Sequence, residues 1–402
     1  MILGWRASTG LSGLPRMAIC LALVSCATTN LSPFGAGGTA TEREKDEKQL
    51  WQTAEQLEQR IDNSGGRYKN PELDAYLTAV AQKLLPPEAQ VPGIGPRVKV
   101  IQHPLLNAFA LPNGAIYVHT GILARMDNEA QLSALLGHEL THFTHRHAVK
   151  QTRSAQNEIT LVRIFRIMLP GMEGVTGPVG SLWTLASTSG YSRELETEAD
   201  VQGLRTMVTA GYDPKQALVV IELLKQDLGE QEVKEPFFFG THPRLEERTS
   251  NFRRLLDTQY AAQARDATLR TNTEEFLSRI DQLLLDNAVL DINLGRLKTA
   301  RTAIEKHLKR HPQTSRSHFL IGEVHRRSGP GELYIQSAIA AYQEASRQDP
   351  THADPHRELG FLYRAEGSRE QARTAFERYL ALSPKATDAL IIQGYLKELE
   401  KP

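Results

Sequence analysis

The stretch NEAQLSALLGHELTHFTHRH, residues 128–147, decides how the chain is read. Asn128 is of a type that caps helices, and Leu132, Leu135, Leu136, Leu140 and Phe143 recur at the spacing of one apolar helical face. A helix turns about 100° per residue, so His138 and His142 stack on one face and can aim ring nitrogens at a single ion. Two imidazoles suit zinc, which also needs a third protein ligand and an open position for water. Glu139, beside the first histidine, then stands as the base for that water. His145 and His147 make a merely histidine-rich, solvated helix the competing reading, and it leaves the placement of Glu139 unexplained.

The third ligand has to come from elsewhere. The pattern His-Glu-x-x-His-x-x-Gly-x-x-His fails, because His145 and Ala148 stand at its last two defined positions. Residues 191–200, YSRELETEAD, offer Glu194, Glu196 and Glu198. On a helix from about Arg193 to Ala210, Glu196 continues through Ala199, Asp200, Leu204 and Met207, an inward stripe. Glu194 continues instead through Glu198, Gln202 and Arg205. A carboxylate facing inward is unfavourable unless it is paired or binds a metal, which favours Glu196 as ligand over Glu196 as a buried ion-pair partner. Asp200, one turn on, is placed to accept the second N–H of a ligand histidine and fix its tautomer; a surface acid is the plainer alternative.

Around these two helices the chain divides. Leu50, Trp51, Ala54 and Leu57, then Leu73, Tyr76, Leu77, Val80 and Leu84, predict two earlier helices. Val98, Val100, Ile116 and Val118 alternate as in strands over 97–102 and 115–120, with Pro112-Asn113-Gly114 read as a turn between them. Residues 153–190, apolar then glycine-rich, read equally as a mobile lid or as a packed helix with a surface loop. A helix is expected over about 215–228. Past 275 the pattern becomes helix pairs with a period near 34 residues, as in tetratricopeptide repeats. The clearest copy has Leu359-Gly360, Tyr363, Gly367, Ala372, Phe376 and Pro384; weaker ones carry Ile321-Gly322, Ala338, Tyr342, Ala345 and Pro350, and Gly295, Ala300, Ile304 and Pro312. A capping helix follows over 386–400, its apolar face being Leu390, Ile391, Tyr395 and Leu399.

At the N-terminus, Arg6 and Arg16 precede an apolar run from Met17 to Val24, too short to span a bilayer and laid out as a signal peptide. Leu23-Val24-Ser25-Cys26 is similar to a lipobox, in which cleavage frees Cys26 for acylation; Ile19 makes Cys20 a poorer match. There are no other cysteines, so an exported mature chain would have no internal disulfide. Lys plus Arg and Asp plus Glu both total 47, a balance that, without a basic cluster, argues against nucleic acid as a partner. The expected order is signal peptide 1–25, flexible tether 26–44 rich in small and polar residues, zinc peptidase domain 45–260, linker 261–275 and repeats 276–402.

Together, His138-Glu139-Leu140-Thr141-His142, Glu196-Thr197-Glu198-Ala199-Asp200 and Thr241-His242-Pro243 resemble metallopeptidase family forty-eight over roughly residues 65–256. The repeats and lipobox bring the architecture close to that family's BepA-like proteins. The lipobox departs from the family's multi-span prenyl proteases, whose substrates are not carried over.

The resemblance implies a gluzincin-type α+β zincin domain with a small β-sheet, followed by an all-α solenoid, and one Zn2+ per chain on His138, His142 and Glu196. It places His242 near the metal, either as an oxyanion donor or as a resting-state ligand, and likens Asn107-Ala108-Phe109-Ala110 to an edge strand on which substrate backbone pairs. Asn107, Phe109 and Ala110 are thus candidate substrate contacts, with core packing by Phe109 the alternative. The expected activity is proteolysis of misfolded or stalled envelope proteins at the periplasmic face of the outer membrane. The chain would be held there by lipid on Cys26, or be soluble in the periplasm, with repeats docking substrate or the outer-membrane β-barrel assembly machinery. The alternative is a lipoprotein adaptor or chaperone whose metal site is silent.

Overall fold

A computed structural model describes residues 31–34, 45–90, 95–154, 191–230 and 244–400. Cys20, Cys26, residues 155–190 of the lid-or-loop segment and Thr241-His242-Pro243 lie outside the described residues.

Two helices come first, α1 (Lys45–Asn63) and α2 (Pro71–Leu84). The second starts where Asn70 accepts the Leu73 N–H at 3.0 Å and Pro71 fills the first turn, a position that lacks an intrahelical partner anyway. Three strands follow, β1 (Arg97–Ile101), β2 (Ala108–Ala110) and β3 (Ala115–His119), in the order β1-β3-β2. Here the structure differs from the sequence reading. β1 and β3 run parallel, with Val98 opposite Ile116 and Val100 opposite Val118, so no tight turn can join them. The turn at Pro112-Asn113-Gly114 closes the β2–β3 hairpin instead; Gly114 sits at φ +83° and the Leu111 N–H reaches the Ala115 carbonyl at 2.7 Å.

The sheet separates two apolar clusters, because alternate residues point to opposite faces. Val98, Val100, Ile116 and Val118 join the larger one, with α2 and the helix α4 (Glu129–Thr144). Phe109, Leu111, Ala115 and Tyr117 join the other, with Leu50, Ala54 and Ile61 of α1. The short α3 (Thr120–Arg125) precedes α4, and α5 (His147–Ser154), α6 (Arg193–Thr209), α7 (Lys215–Glu230) and α8 (Leu245–Asp257) follow it. The tether expected over 26–44 is not free throughout. Leu31 and Phe34 are buried, the Phe34 N–H meets the Thr144 carbonyl at 2.9 Å, and its ring packs on Trp51 and Phe143. Two large apolar side chains outweigh the small polar residues around them.

Next come α9 (Ala261–Arg265) and the long α10 (Thr273–Asn293). The stretch 261–275 is tied to the peptidase half: the Asp213 N–H bonds the Arg270 carbonyl, the Arg270 N–H bonds that of Gly211, and the Asn272 amide reaches Glu129 at 2.7 Å. Beyond it, Phe276, Leu277, Ile280, Leu283 and Leu284 of α10 lie in the same cluster as α2 and α4. Helices α11 (Leu297–Arg310), α12 (Ser315–Arg327), α13 (Glu332–Gln348), α14 (Ala353–Ala365), α15 (Arg369–Leu382) and α16 (Ala389–Leu399) continue as hairpins. The small-aromatic signature has a steric basis, since a Cβ on Gly322 would lie 2.4 Å from the Tyr342 ring and one on Gly360 would lie 2.4 Å from that of Phe376. In α16 the expected face shifts: Ile392 is buried, while Leu390 and Ile391 are exposed. Among the described residues no helix is long and apolar enough to cross a membrane.

Candidate metal centre

Helix α4 is the middle of the peptidase half, with every residue buried except Ala134. Asn128 caps it, accepting the Gln131 N–H at 2.9 Å. Helix α6 begins at Ser192, whose hydroxyl accepts the Leu195 N–H at 3.4 Å, and ends before Gly211 at φ +80°. The two helices touch through their backbones. A Cβ on Gly137 would lie 2.9 Å from the Gly203 carbonyl oxygen, and one on Gly203 would lie 2.8 Å from the His138 nitrogen. This bare crossing lets a side chain two turns before Gly203, that of Glu196, reach the histidines.

The Nε2 atoms of His138 and His142 are 3.0 Å apart. Glu196 Oε2 lies 3.6 Å from the first and Oε1 lies 3.4 Å from the second. All three residues are buried, and their donor atoms cluster within 4.8 Å of one another, a group that could hold a metal ion. Two imidazole nitrogens and one carboxylate oxygen are a donor set suited to zinc. Glu139, only 1% exposed, is on the same helix between the two histidines.

Behind His138 stands Asp200, whose Oδ1 lies 3.0 Å from His138 Nδ1. Arg248 of α8 clamps that carboxylate through Nε at 2.9 Å and Nη2 at 2.7 Å, and its Nη1 is 3.7 Å from Glu196. Burial would raise the Asp200 carboxyl, but the Arg248 charge and the His138 hydrogen bond hold it at about 2. On the other side, His147 Nδ1 lies 2.9 Å from His142 Nδ1, and His147 Nε2 lies 3.2 Å from Glu198 Oε2. The His147 contact holds Glu198 at about 2 against burial, with Lys150 at 3.4 Å adding to it. Burial in turn pulls His147 below the usual imidazole value. Tyr191 lies flat on His142, ring centroids 4.0 Å apart and planes at 16°, and burial beside Glu139 and Glu196 pushes its phenol well above the usual range.

Residues 71–256 match the sequence pattern of peptidase family M48. The chain carries a peptidase family M48 domain. Residues 335–387 match the tetratricopeptide repeat. Three relatives show the same likeness. The chain is 32% identical over 158 residues to mitochondrial metalloendopeptidase OMA1 of Arabidopsis thaliana, covering 39% of this chain and 31% of that one. It is 26% identical over 196 residues to the β-barrel assembly-enhancing protease of Escherichia coli K12, covering 47% and 39%. It is 32% identical over 203 residues to the mitochondrial metalloendopeptidase OMA1 of Homo sapiens, covering 46% and 38%. The chain thus spans well under half the length of these curated relatives.

Within the M48 domain, β2 lies at the edge of the sheet and packs against α4. Phe109 is fully buried and stacks on Tyr117, ring centroids 5.3 Å apart, so its side chain belongs to the core, and Ala110 is buried too. Asn107 is fully buried, and among the described residues neither of its side-chain polar atoms has a hydrogen-bond partner. Sequence reasoning missed Arg248, although an arginine in the apolar stripe Leu245, Phe252 and Leu255 signals a buried cation in need of a carboxylate. It also gave His147 no role of its own, and passed over the Gly137–Gly203 contact, which only the crossing of two distant helices reveals.

Proposed function

We propose that this chain is a zinc-dependent endopeptidase of the cell envelope, acting on exposed, extended segments of misfolded or stalled proteins. The observation that carries the reading is the convergence of His138, His142 and Glu196 on one point, with Glu139 on the same helix. The M48 match and the metalloendopeptidase relatives support it. Metal-assisted cleavage by water uses a Lewis acid and a base together, and a zinc ion held by the two imidazoles and the Glu196 carboxylate would supply the first. Glu139 supplies the second, taking a proton from water and passing it to the leaving amine. Asp200, fixed by Arg248, keeps the His138 ring turned with Nε2 toward Glu196. The β2 edge offers backbone for an extended substrate to pair with.

In this reading the lipobox at Cys26 tethers the enzyme to the periplasmic side of the outer membrane. The repeats dock substrate or the β-barrel assembly machinery, as the name of the Escherichia coli relative suggests. An intact Glu139 favours a protease over an adaptor with a silent site, because a structural zinc needs no base. The deciding measurement pairs zinc content with cleavage of an unfolded casein substrate. Glu139→Gln is expected to keep its zinc and lose cleavage by at least about 100-fold; undiminished cleavage would remove the assigned mechanism. His242→Ala belongs beside it. Cleavage falls if His242 stabilises the oxyanion and rises if it blocks the metal.

A further inference from the structure

His138 and His142 are supported differently. Behind His138 stands a carboxylate in direct contact, Asp200. Behind His142 stands a second histidine, fully buried, and only then a carboxylate. A zinc-binding imidazole that uses Nε2 must carry its proton on Nδ1, and a buried N–H needs an acceptor. His147 Nδ1 lies 2.9 Å from His142 Nδ1. A neutral imidazole has one N–H and one acceptor nitrogen, so if His147 accepts at Nδ1, its proton is on Nε2. That proton faces Glu198 Oε2 at 3.2 Å. The tautomers are consistent from end to end, whereas the opposite assignment would leave Glu198 facing an acceptor nitrogen.

The geometry points to His147 and Glu198 as a positioning pair for His142, a carboxylate–imidazole–imidazole chain that fixes the ligand's tautomer and ring plane from one bond further out than Asp200 does for His138. Every part of the chain is held. Lys150 lies 3.4 Å from Glu198, and His145 Nε2 approaches its other oxygen at 3.8 Å. Tyr191 stacks on one face of the His142 ring. Glu198, the acid that faced away from the metal stripe, thereby acts two bonds behind a ligand rather than as one.

The inference rests on the zinc reading, and its test separates the two. The measurement is zinc affinity of the full-length protein by competition with a chromogenic chelator, with melting of the metal-free protein as the control for folding. Leucine and asparagine have nearly the same shape, but only asparagine places an acceptor near the former Nδ1 position. His147→Leu is expected to weaken zinc by about 10- to 100-fold, the usual effect of losing an outer hydrogen-bond partner, with His147→Asn recovering most of it. Glu198→Ala, at a half-exposed position that leaves folding intact, is expected to weaken zinc by several-fold, about 10-fold at most. If the wild type binds no zinc, the proposed function fails. If it does, equal affinity in the Leu and Asn variants, or an unchanged affinity in Glu198→Ala, overturns the positioning chain alone.

Discussion

Arg248 shows how much one side chain can hold in place. It is buried, and Asp200 and Glu196 keep its charge stable against burial. Removing it would leave Asp200 as a buried charge beside His138. Breaking a buried pair from one side is worth about 3–5 kcal/mol, so Arg248→Met is expected to lower unfolding stability in urea by about that much. Converting Asp200 to Asn in the same chain is expected to restore part of the loss, since the stranded charge goes with it. No recovery in the double variant would show that Arg248 acts through packing alone. The grouping of His138, His142 and Glu196 was legible at this scale from spacing and the inward stripe. Arg248 and His147 were not, because each has meaning only beside a residue far off in sequence.

The crossing of α4 and α6 governs the site at the scale of elements. With glycine on both sides, the helices meet backbone to backbone, and Glu196 is delivered between the histidines. Gly203→Ala adds one methyl at 2.8 Å from a backbone nitrogen. Overpacking of this kind typically destabilises by about 1–3 kcal/mol, and here it should also weaken zinc by separating Glu196 from the imidazoles. Circular dichroism melts and chelator competition read the two effects; a melt lowered with zinc affinity intact would mean that α6 yields elsewhere. Helix extents were readable from caps and periodicity, as Asn128 and the span from about Arg193 to Ala210 show. Strand direction was not. The alternation of Val98, Val100, Ile116 and Val118 is the same in parallel and antiparallel pairs, and only the short return strand at Ala108–Ala110 decides it.

Across the whole molecule, the peptidase half and the solenoid share material. The Glu129 carboxylate, in the first turn of α4, accepts from the Tyr76 and Tyr212 phenols at 2.6 Å each and from the Asn272 amide at the head of α10. Lys306 of α11 donates to the last carbonyls of α3 and pairs with Asp127 at 2.7 Å, and Arg125 meets the buried Asp291 at 3.2 Å. Burial would raise the Glu129 carboxyl, but the hydrogen bonds from Tyr212, Tyr76 and Asn272 hold it below the ordinary glutamate range. A depressed carboxyl stabilises the fold above its unfolded value, about 4.3, and that contribution disappears as pH falls through the folded value. Glu129→Gln is therefore expected to lower stability by about 2 kcal/mol at neutral pH and by progressively less below pH ~4. Urea titrations across that range check it, and a pH-independent difference would contradict it. The period near 34 residues disclosed the repeats, yet the predicted boundary at 275 missed this sharing, because Phe276, Ile280 and Leu284 look alike whether they face a repeat or a peptidase.

Repeat arrays commonly lengthen by copying a unit, and each copy must offer its neighbours the same faces on either side. Helix α10 cannot be copied on those terms, since one side of it is already committed to α2 and α4. A duplicated first hairpin would have to bring a non-repeat surface into contact with a repeat one. An added unit is easier to accommodate further along the array, among the hairpins that pack on one another.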